Sequence, residues 1–313
     1  MLEVDDLRVY YDSVLGQYRV VDGVSLQVRE KEIFGIAGES GCGKSTLAEA
    51  ILRLVKPPGY IKSGTATLEG VDLVSLSEDK LREIRWKKLS YIPQGSMNSL
   101  NPVLKIEEQM IDVIRAHSEL SKDEARKLSI EALDSVGLPS KVLGMYPHEL
   151  SGGMKQRVCI ATAMTLKPIF VVADEPVTAL DVTIQRMVLE SIAELRKKYG
   201  VTILLIAHDM AVHAEIDDRL AIMYAGKIME VGSVYDIFDE PVHPYTKALL
   251  DSVPSIEKKS IESGIPGLAP SPLSWPSGCR FHPRCPHARA ACSQAESLLR
   301  EIEDGHFVAC DCG

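Results

Sequence analysis

Short apolar runs separated by longer amphipathic segments are the main pattern along this chain. Runs of this kind are typical of strands that are buried on both faces of a parallel sheet. Three such strands are predicted: "KEIFGIA" at 31–37, "IFVVA" at 169–173 and "VTILLIA" at 201–207. Near the start, Leu7, Val9 and Tyr11 occupy alternate positions, which predicts a further strand.

Apolar positions spaced three and four residues apart predict helices between these strands. Leu47, Ile51 and Leu54 share one helical face after the first buried strand, and Pro57 with Pro58 ends that predicted helix. Two later segments have the same period: "KIEEQMIDVIRAH" at 105–117 and "SKDEARKLSIEALDSVG" at 121–137. Strands that alternate with helices in this way predict an α/β fold.

The composition is that of a globular protein, with 45% hydrophobic and 25% charged residues among 313. A formal net charge of −9 argues against general nucleic-acid binding, which usually needs a basic face. No apolar run approaches the roughly 20 residues that a membrane-spanning helix needs. The charged N-terminal stretch does not have the form of a signal peptide. We therefore expect a cytosolic chain that meets a membrane only through a partner.

A glycine-rich loop lies between the first buried strand and the first predicted helix. The stretch "GESGCGKST" has the G-x-x-x-x-G-K-S pattern in the strand–loop–helix context that a phosphate-binding loop requires. Its backbone N–H groups and the helix N-terminus favour phosphate oxygens. Lys44 is expected to meet the β- and γ-phosphates, and Ser45 to ligate Mg²⁺. The predicted nucleotide-binding residues of this loop are Gly38, Glu39, Ser40, Gly41, Cys42, Gly43, Lys44, Ser45 and Thr46.

Two acids follow the second buried strand, as a nucleotide site of this kind requires. In "IFVVADEP" they are Asp174 and Glu175. Asp174 is expected to hold Mg²⁺ through water. Glu175 is one residue further along and points elsewhere, so it is the candidate general base that activates the attacking water.

A second glycine-rich motif, "LSGGMKQR" at 150–157, has no phosphate-binding lysine and follows no apolar strand. Ser151 is a favourable N-cap for the helix predicted after it. The helix N-terminus and its glycines would form another anion site. Either the motif is only a flexible helix cap, or it serves a nucleotide that another subunit binds.

Six motifs in order resemble the ATP-binding subunit of an ABC transporter, and the resemblance covers nearly the whole chain. They are "GESGCGKST" (Walker A), "YIPQ" (Q-loop, ending at Gln94), "LSGGM" (signature), "VVADEP" (Walker B), "TALD" (D-loop, ending at Asp181) and "IAHD" (switch histidine, His208). In this family two subunits pack head to tail, and each ATP lies between one subunit's Walker motifs and the other's signature. The residues that the resemblance assigns to the partner's ATP are Ser151, Gly152, Gly153 and Met154.

The resemblance also implies catalytic roles for individual residues. Gln94 would help to ligate Mg²⁺ and sense the γ-phosphate, and His208 would contact the γ-phosphate. With Lys44 and Glu175 they form the predicted catalytic set. An aromatic residue of the first strand would stack on adenine; Tyr11 is the candidate and Tyr10 the alternative.

The stretch "HPYTKALL" and the cysteine-bearing tail resemble the dipeptide, oligopeptide and nickel importer branch of the family. This likeness implies peptide import, with oligosaccharides or nickel as alternative cargo. The implied partners are a sister ATPase subunit forming a heterodimer, two membrane permease subunits and an extracytoplasmic solute-binding protein. The chain would lie peripherally at the cytoplasmic face of the cell membrane. A rival class contains ABC-type ATPases of translation and DNA repair, which usually carry two cassettes or a coiled-coil insertion.

Five cysteines lie in the tail, where a small segment with little apolar core needs a covalent or metal staple. Four thiolates hold either Zn²⁺ or a [4Fe–4S] cluster, although the spacing matches neither a zinc ribbon nor a ferredoxin. Similar tails in this importer branch hold a [4Fe–4S] cluster, so the likeness favours iron, with zinc second and thiols without metal third. The candidate ligands are Cys279, Cys285, Cys292 and Cys310, with Cys312 as the alternative to Cys310 and with His282, His287 and His306 as possible zinc ligands.

The expected fold is a P-loop ABC-type nucleotide-binding domain at 1–225, followed by an extension at 226–313. The cassette would combine a RecA-like core (about 31–94 and 158–225), an antiparallel β subdomain (about 1–30 and 60–75) and a helical subdomain (about 95–157). The extension would consist of a linker at about 254–278 and a cysteine-rich, metal-binding tail at 279–313.

Overall fold

The computed structural model describes residues 1–252 and 265–311. The chain divides into two compact units, each assembled from separate stretches of sequence. Unit 1 contains residues 1–28, 34–75 and the described part of 207–313, and unit 2 contains residues 29–33 and 76–206. Part of the predicted linker, 254–264, lies outside the described residues. No helix in the described ranges is long and apolar enough to cross a membrane.

The strands form where the apolar runs predict them, and additional strands occur in both units. Their bounds are β1 (Leu2–Ser13), β2 (Gly16–Val28), β3 (Ile33–Ala37), β4 (Gly59–Leu68), β5 (Val71–Asp72), β6 (Leu89–Ile92), β7 (Phe170–Asp174), β8 (Thr202–Ile206), β9 (Arg219–Tyr224), β10 (Lys227–Ser233), β11 (Arg300–Glu303) and β12 (His306–Val308).

The α-helices of the described residues vary from one turn to five. Their bounds are α1 (Lys44–Ile51), α2 (Glu78–Ile84), α3 (Ile106–His117), α4 (Lys122–Asp134), α5 (Gly152–Met164), α6 (Val182–Tyr199), α7 (Met210–Ile216), α8 (Val234–Asp239), α9 (Pro244–Asp251) and α10 (Ala290–Gln294).

Helix α1 is shorter than its apolar pattern predicts, because the chain turns well before Pro57. The helix ends at Ile51, and Arg53 takes a left-handed conformation with φ of 53°. The Leu54 N–H then donates to the Glu49 carbonyl at 2.7 Å, which closes the turn. Leu54 therefore lies beyond the helix whose apolar face it was predicted to extend.

Unit 1 contains two groups of paired strands. One is an antiparallel sheet in the order β2-β1-β4-β5. In the other, the order is β11-β12-β10-β9-β3, and only the β9–β3 pair is parallel. Tyr224, Tyr245 and Phe281 pack at the centre of the apolar core beside this second group, with ring centroids 4.6 to 5.4 Å apart. The C-terminal extension (residues 226–313) therefore shares one core with strand β9.

Unit 2 contains the parallel strands β8, β7 and β6, of which β7 and β8 are buried along their whole length. Helices α3 and α4 pack through Ile111, Ile114 and Ala125, all at least nine-tenths buried. Ser121 and Glu124 form a capping box that starts α4. Each helix thus has the apolar face and the start that its sequence period predicts.

Candidate functional site

The phosphate loop of unit 1 needs glycine where the chain passes closest to its neighbours. Gly38 has φ of 149°, and a Cβ there would lie 2.0 Å from the Met223 carbonyl oxygen. Gly43 has φ of 108°, and its Cβ would lie 2.7 Å from the Val20 carbonyl oxygen. Any other residue at either position would clash with the backbone, so the loop depends on both glycines.

Lys44 lies at the start of α1 with its side chain folded into this loop. Its Nζ donates to the Gly38 carbonyl at 2.7 Å and to the Glu39 carbonyl at 3.2 Å, and the residue is 6% exposed. The ammonium group is thus held at the place where backbone N–H groups and the helix N-terminus favour an anion. This arrangement agrees with the phosphate-binding role that the motif predicts for Lys44.

Cys42 is buried within the loop, and burial raises the pKa of its thiol above the ordinary value. Because the thiolate is the reactive form of cysteine, this side chain is a poor nucleophile. Cys42 packs in the loop as a small apolar residue.

The structure separates the two tyrosines that compete for the adenine-stacking role. Tyr10 is 8% exposed and its hydroxyl donates to Asp22 Oδ1 at 2.7 Å, which fixes it in the core of unit 1. Tyr11 is half-buried and its ring covers Gly59, where a Cβ would lie 2.5 Å from Tyr11 Cε1. Tyr11 therefore remains the candidate for adenine stacking.

His208 is exposed in the loop that precedes α7. The adjacent Ala207 carbonyl lies 3.2 Å from Nε2 of the buried His213, whose Nδ1 lies 2.6 Å from Asp217 Oδ2. Burial raises the pKa of the Asp217 carboxyl to about 6. A buried histidine–aspartate pair thus holds the backbone next to the predicted switch histidine, a feature that the motif alone did not indicate.

The acid pair of unit 2 lies at the end of β7. Asp174 is 1% exposed, and the Tyr91 hydroxyl donates to its Oδ2 at 3.4 Å. Glu175 follows with φ of 47°, and its N–H donates to the Ile206 carbonyl at 2.8 Å. The left-handed backbone at Glu175 directs the two neighbouring carboxylates differently, as two separate roles require.

Gln94 and Glu175, which are far apart in the sequence, meet in unit 2. Gln94 Nε2 donates to Glu175 Oε2 at 2.7 Å, and Thr178 Oγ1 donates to the same oxygen at 2.9 Å. Two donors on one oxygen hold this carboxylate in a fixed orientation. The Q-loop residue and the candidate base therefore form one hydrogen-bonded group.

The signature motif begins helix α5, as its N-cap serine predicts. Ser151 Oγ accepts from the Met154 N–H at 3.3 Å. A Cβ on the buried Gly153 would lie 2.5 Å from Ile184 Cγ2 on α6. Gly153 is therefore needed for the close packing of α5 on α6.

Asp181, the D-loop residue, is the N-cap of α6, and its Oδ1 accepts from the Ile184 N–H at 3.0 Å. Its side chain therefore has a local structural role in unit 2.

The predicted metal ligands of the tail do not form a metal site in the described residues. Across residues 1–252 and 265–311, no three His, Cys, Asp or Glu side chains are grouped so as to hold a metal ion. Cys279 and Cys285 pack against the apolar core, and burial raises the pKa of both thiols. A [4Fe–4S] or zinc site at Cys279, Cys285, Cys292 and Cys310 therefore stays a prediction, and Cys312 lies outside the described residues.

Two of the three histidines considered as zinc ligands have other partners. His306 Nε2 lies 2.9 Å from Glu230 Oε1, and both side chains are buried. His282 Nδ1 lies 2.9 Å from the Cys279 carbonyl oxygen. His306 therefore fixes strand β12 to β10 through a polar contact inside unit 1.

Two residues of the C-terminal extension contact the phosphate loop, and the sequence motifs had not indicated them as part of the site. The Tyr245 hydroxyl accepts from the Glu39 N–H at 2.8 Å, and the Arg284 guanidinium pairs with the Glu39 carboxylate. Tyr245 belongs to "HPYT" and Arg284 to "HPRC". Both stretches stood out in the sequence, but nothing in their spacing showed which residue they would meet.

Comparison with known families finds two matches along the chain. The ABC transporter family profile matches residues 21–178, and the profile described as oligopeptide/dipeptide transporter, C-terminal region, matches 229–292. The second match covers the extension that contains Tyr245 and Arg284.

Relatives of known function are similar over nearly the whole chain. A dipeptide transport ATP-binding protein, DppD, of Caldanaerobacter subterraneus subsp. tengcongensis is 40% identical over 99% of this chain and 96% of its own. An oligopeptide transport ATP-binding protein, OppD, of Escherichia coli K12 is 42% identical over 99% of this chain and 92% of its own.

A solved structure with the same fold is the dimeric, post-hydrolysis state of the ATP-binding cassette MJ0796 bound to ADP and Pi. It is 27% identical, with a TM-score of 0.67 over 75% of this chain and 99% of the other. The cassette fold predicted from the six motifs is thereby confirmed.

Proposed function

We propose that this chain, which belongs to the ABC transporter family, hydrolyses ATP to power the import of dipeptides or oligopeptides. The observation that carries the proposal is the similarity to dipeptide and oligopeptide transport ATP-binding proteins over nearly the whole chain. The match at 229–292 supports the peptide branch in particular, because it lies outside the residues that the ABC transporter profile matches.

Binding of ATP is assigned to the phosphate loop and the aromatic residue of β1. Lys44 and the N–H groups of the loop bind the β- and γ-phosphates, while Tyr11 stacks on the adenine ring. His208 contacts the γ-phosphate. Ser45, Gln94 and Asp174 offer the hard oxygen donors that Mg²⁺ prefers, and the bound ion would neutralise phosphate charge.

Hydrolysis is assigned to Glu175 as the general base. Gln94 and Thr178 hold one oxygen of its carboxylate at 2.7 and 2.9 Å, which fixes the orientation of the other. The Glu175 carboxylate accepts a proton from the water that attacks the γ-phosphate, and ADP and phosphate leave. Gln94 and Thr178 thus contribute to the rate of ATP hydrolysis by holding the general base in a fixed orientation.

The signature residues Ser151, Gly152, Gly153 and Met154 are assigned to the ATP of a partner subunit. Two cassettes would close head to tail on two ATP molecules, and separation after hydrolysis would reset two permease subunits. We propose a sister ATPase as the partner, a solute-binding protein outside the membrane, and a peripheral position at the cytoplasmic face.

A [4Fe–4S] cluster in the tail, with zinc as its alternative, stays a prediction from the cysteine pattern and has no part in this mechanism. Iron, sulfide and zinc analysis of anaerobically purified protein tests it. About four iron and four sulfide per chain would establish the cluster.

The catalytic assignment is tested by Glu175→Gln. This variant should bind ATP as the unaltered protein does, while its hydrolysis falls by about 100-fold or more because the general base is lost. ATP binding and phosphate release are measured separately on the purified chain. Phosphate release close to the unaltered rate would remove Glu175 from its role.

The cargo is tested in cells from which this chain has been deleted. Uptake of labelled dipeptides and tetrapeptides should be lost and should return with the intact chain but not with Glu175→Gln. Normal peptide uptake, together with lost uptake of nickel or an oligosaccharide, would contradict the peptide assignment and leave the ATPase assignment intact.

A further inference from the structure

Glu39 lies inside the phosphate loop, and each of its polar groups has a specific partner in unit 1. Its N–H donates to the Tyr245 hydroxyl at 2.8 Å, and its carbonyl accepts from Lys44 Nζ at 3.2 Å. Its carboxylate accepts from Arg284 Nη1 at 2.7 Å and from Nη2 at 2.9 Å. Two of these three partners belong to the C-terminal extension, which therefore holds the loop directly.

Arg284 is buried, with its guanidinium group surrounded by acceptors. Its side chain is 6% exposed, against 26% for that of Glu39. Besides the carboxylate, it donates to the carbonyls of Pro266 and Ile265 at 2.8 and 3.1 Å and to the Tyr224 hydroxyl at 3.2 Å. Only the planar fork of arginine can satisfy a bidentate carboxylate and three further acceptors at once.

The charge of Glu39 makes this pairing important for ATP. A carboxylate in a loop that binds phosphates repels them, and the repulsion is large where the local dielectric constant is low. The guanidinium fork neutralises that charge and fixes the side chain at the same time.

We propose that Arg284 is a positioning residue of the ATP site, through which the C-terminal extension sets the ATP affinity of the phosphate loop. The inference rests on the proposed function, since it requires that the loop binds ATP. Arg284 acts through Glu39 and touches no nucleotide itself. Loss of Arg284 leaves a half-buried, uncompensated carboxylate at the loop, which is unfavourable both for the fold and for an approaching anion.

The alternative is that Arg284 only fixes the tail to unit 1. Arg280 is a matched control for that role because it is also a buried arginine of the tail. It pairs with Asp22 and the Ala225 carbonyl and lies over the Trp275 ring at 4.8 Å. None of these partners belongs to the phosphate loop, so Arg280→Gln tests tail anchoring alone.

The experiment measures the equilibrium dissociation constant for Mg·ATP and the midpoint of thermal unfolding on the full chain at one salt concentration. Arg284→Gln should weaken ATP binding about tenfold, which corresponds to about 1.4 kcal/mol. The double variant Glu39→Gln with Arg284→Gln should recover most of that affinity, because the uncompensated charge is gone. Arg280→Gln should lower the unfolding midpoint and leave the dissociation constant unchanged.

Two results would overturn the inference: unchanged ATP binding by Arg284→Gln, or a double variant as weak as the single one. If Arg284→Gln does not fold, Arg284→Lys keeps the charge without the fork. A loss of ATP affinity of about threefold or more by Arg284→Lys then supports the inference, and an unchanged affinity overturns it. Lys44→Ala separates the two levels of the argument. If Lys44→Ala still binds ATP normally, the proposed ATP site is wrong. If Lys44→Ala loses ATP binding while Arg284→Gln keeps it, the ATP site stands and only the role of Arg284 is wrong.

Discussion

Gly153 shows how one residue can serve both an anion site and a helix contact. Its N–H belongs to the N-terminal turn of α5, and its missing side chain admits Ile184 from α6. The sequence motif predicted the first role, because a glycine-rich turn before a helix indicates exposed N–H groups. It could not predict the second, since the partner helix is identified only by the fold.

We therefore expect Gly153→Ala to destabilise unit 2, although alanine is the better helix former. The new Cβ would lie 2.5 Å from Ile184 Cγ2, so α5 or α6 must move. Forced shifts of this kind cost about 1–3 kcal/mol in the free energy of unfolding. Urea unfolding measures this loss of stability. Adding Ile184→Ala to Gly153→Ala should remove part of the loss, because the clashing Cγ2 is then absent.

Gly144→Ala is the matched control, because an added Cβ there meets nothing within 4 Å. It should leave the free energy of unfolding nearly unchanged. Equal losses from both glycine substitutions would show that the packing of α5 on α6 is not the cause.

At the scale of elements, helix α9 begins at the "HPYT" stretch and is fixed by a buried histidine. His243 Nδ1 accepts from the Tyr245 N–H at 3.0 Å, and the His243 N–H donates to Glu230 Oε2 at 3.0 Å. The cap thereby places Tyr245, whose hydroxyl reaches the phosphate loop. Pro244 occupies the first helical position, where its fixed φ suits a helix start. The burial of the cap did not follow from the sequence.

Burial lowers the pKa of His243 from 6.5 to about 4. A folded-state pKa below the unfolded value gives stability that is present above pH 6.5 and is lost as the pH falls. Between about pH 7.5 and pH 5 this loss amounts to about 2 kcal/mol. Glu230 and His306 lie beside the cap, so the contribution of His243 is isolated by difference.

His243→Asn provides that difference, because asparagine caps a helix without titrating. The variant should lose less stability than the unaltered protein when urea unfolding is repeated at the lower pH. Parallel losses in the two proteins would contradict the assignment to His243.

At the scale of the whole molecule, the sequence predicted local groups of residues better than contacts between distant ones. The phosphate loop, the acid pair after β7 and the cap of α5 each follow from spacing within a short stretch. The pairing of Arg284 with Glu39 joins residues 245 positions apart, and no local pattern encodes it. The four-cysteine metal site stays a prediction for the same reason, since spacing alone does not show how side chains from separate stretches are arranged.

The largest-scale prediction concerns the signature motif, which should act only when two cassettes associate. The similar cassette MJ0796 is dimeric with ADP and Pi bound, which supports this arrangement for the family. We expect Ser151→Arg to leave the ATP affinity of the isolated chain unchanged while it abolishes ATP-dependent association with a partner cassette. The added bulk and the lost cap affect the surface offered to the partner's nucleotide, whereas Lys44 and its loop are unaltered.

Light scattering with Glu175→Gln as the background measures the association, because slow hydrolysis preserves the closed form. Lys44→Ala in the same background should lose ATP binding and association together. If Ser151→Arg instead weakened ATP binding by the chain alone, the signature would belong to this chain's own site, and the head-to-tail arrangement would be wrong.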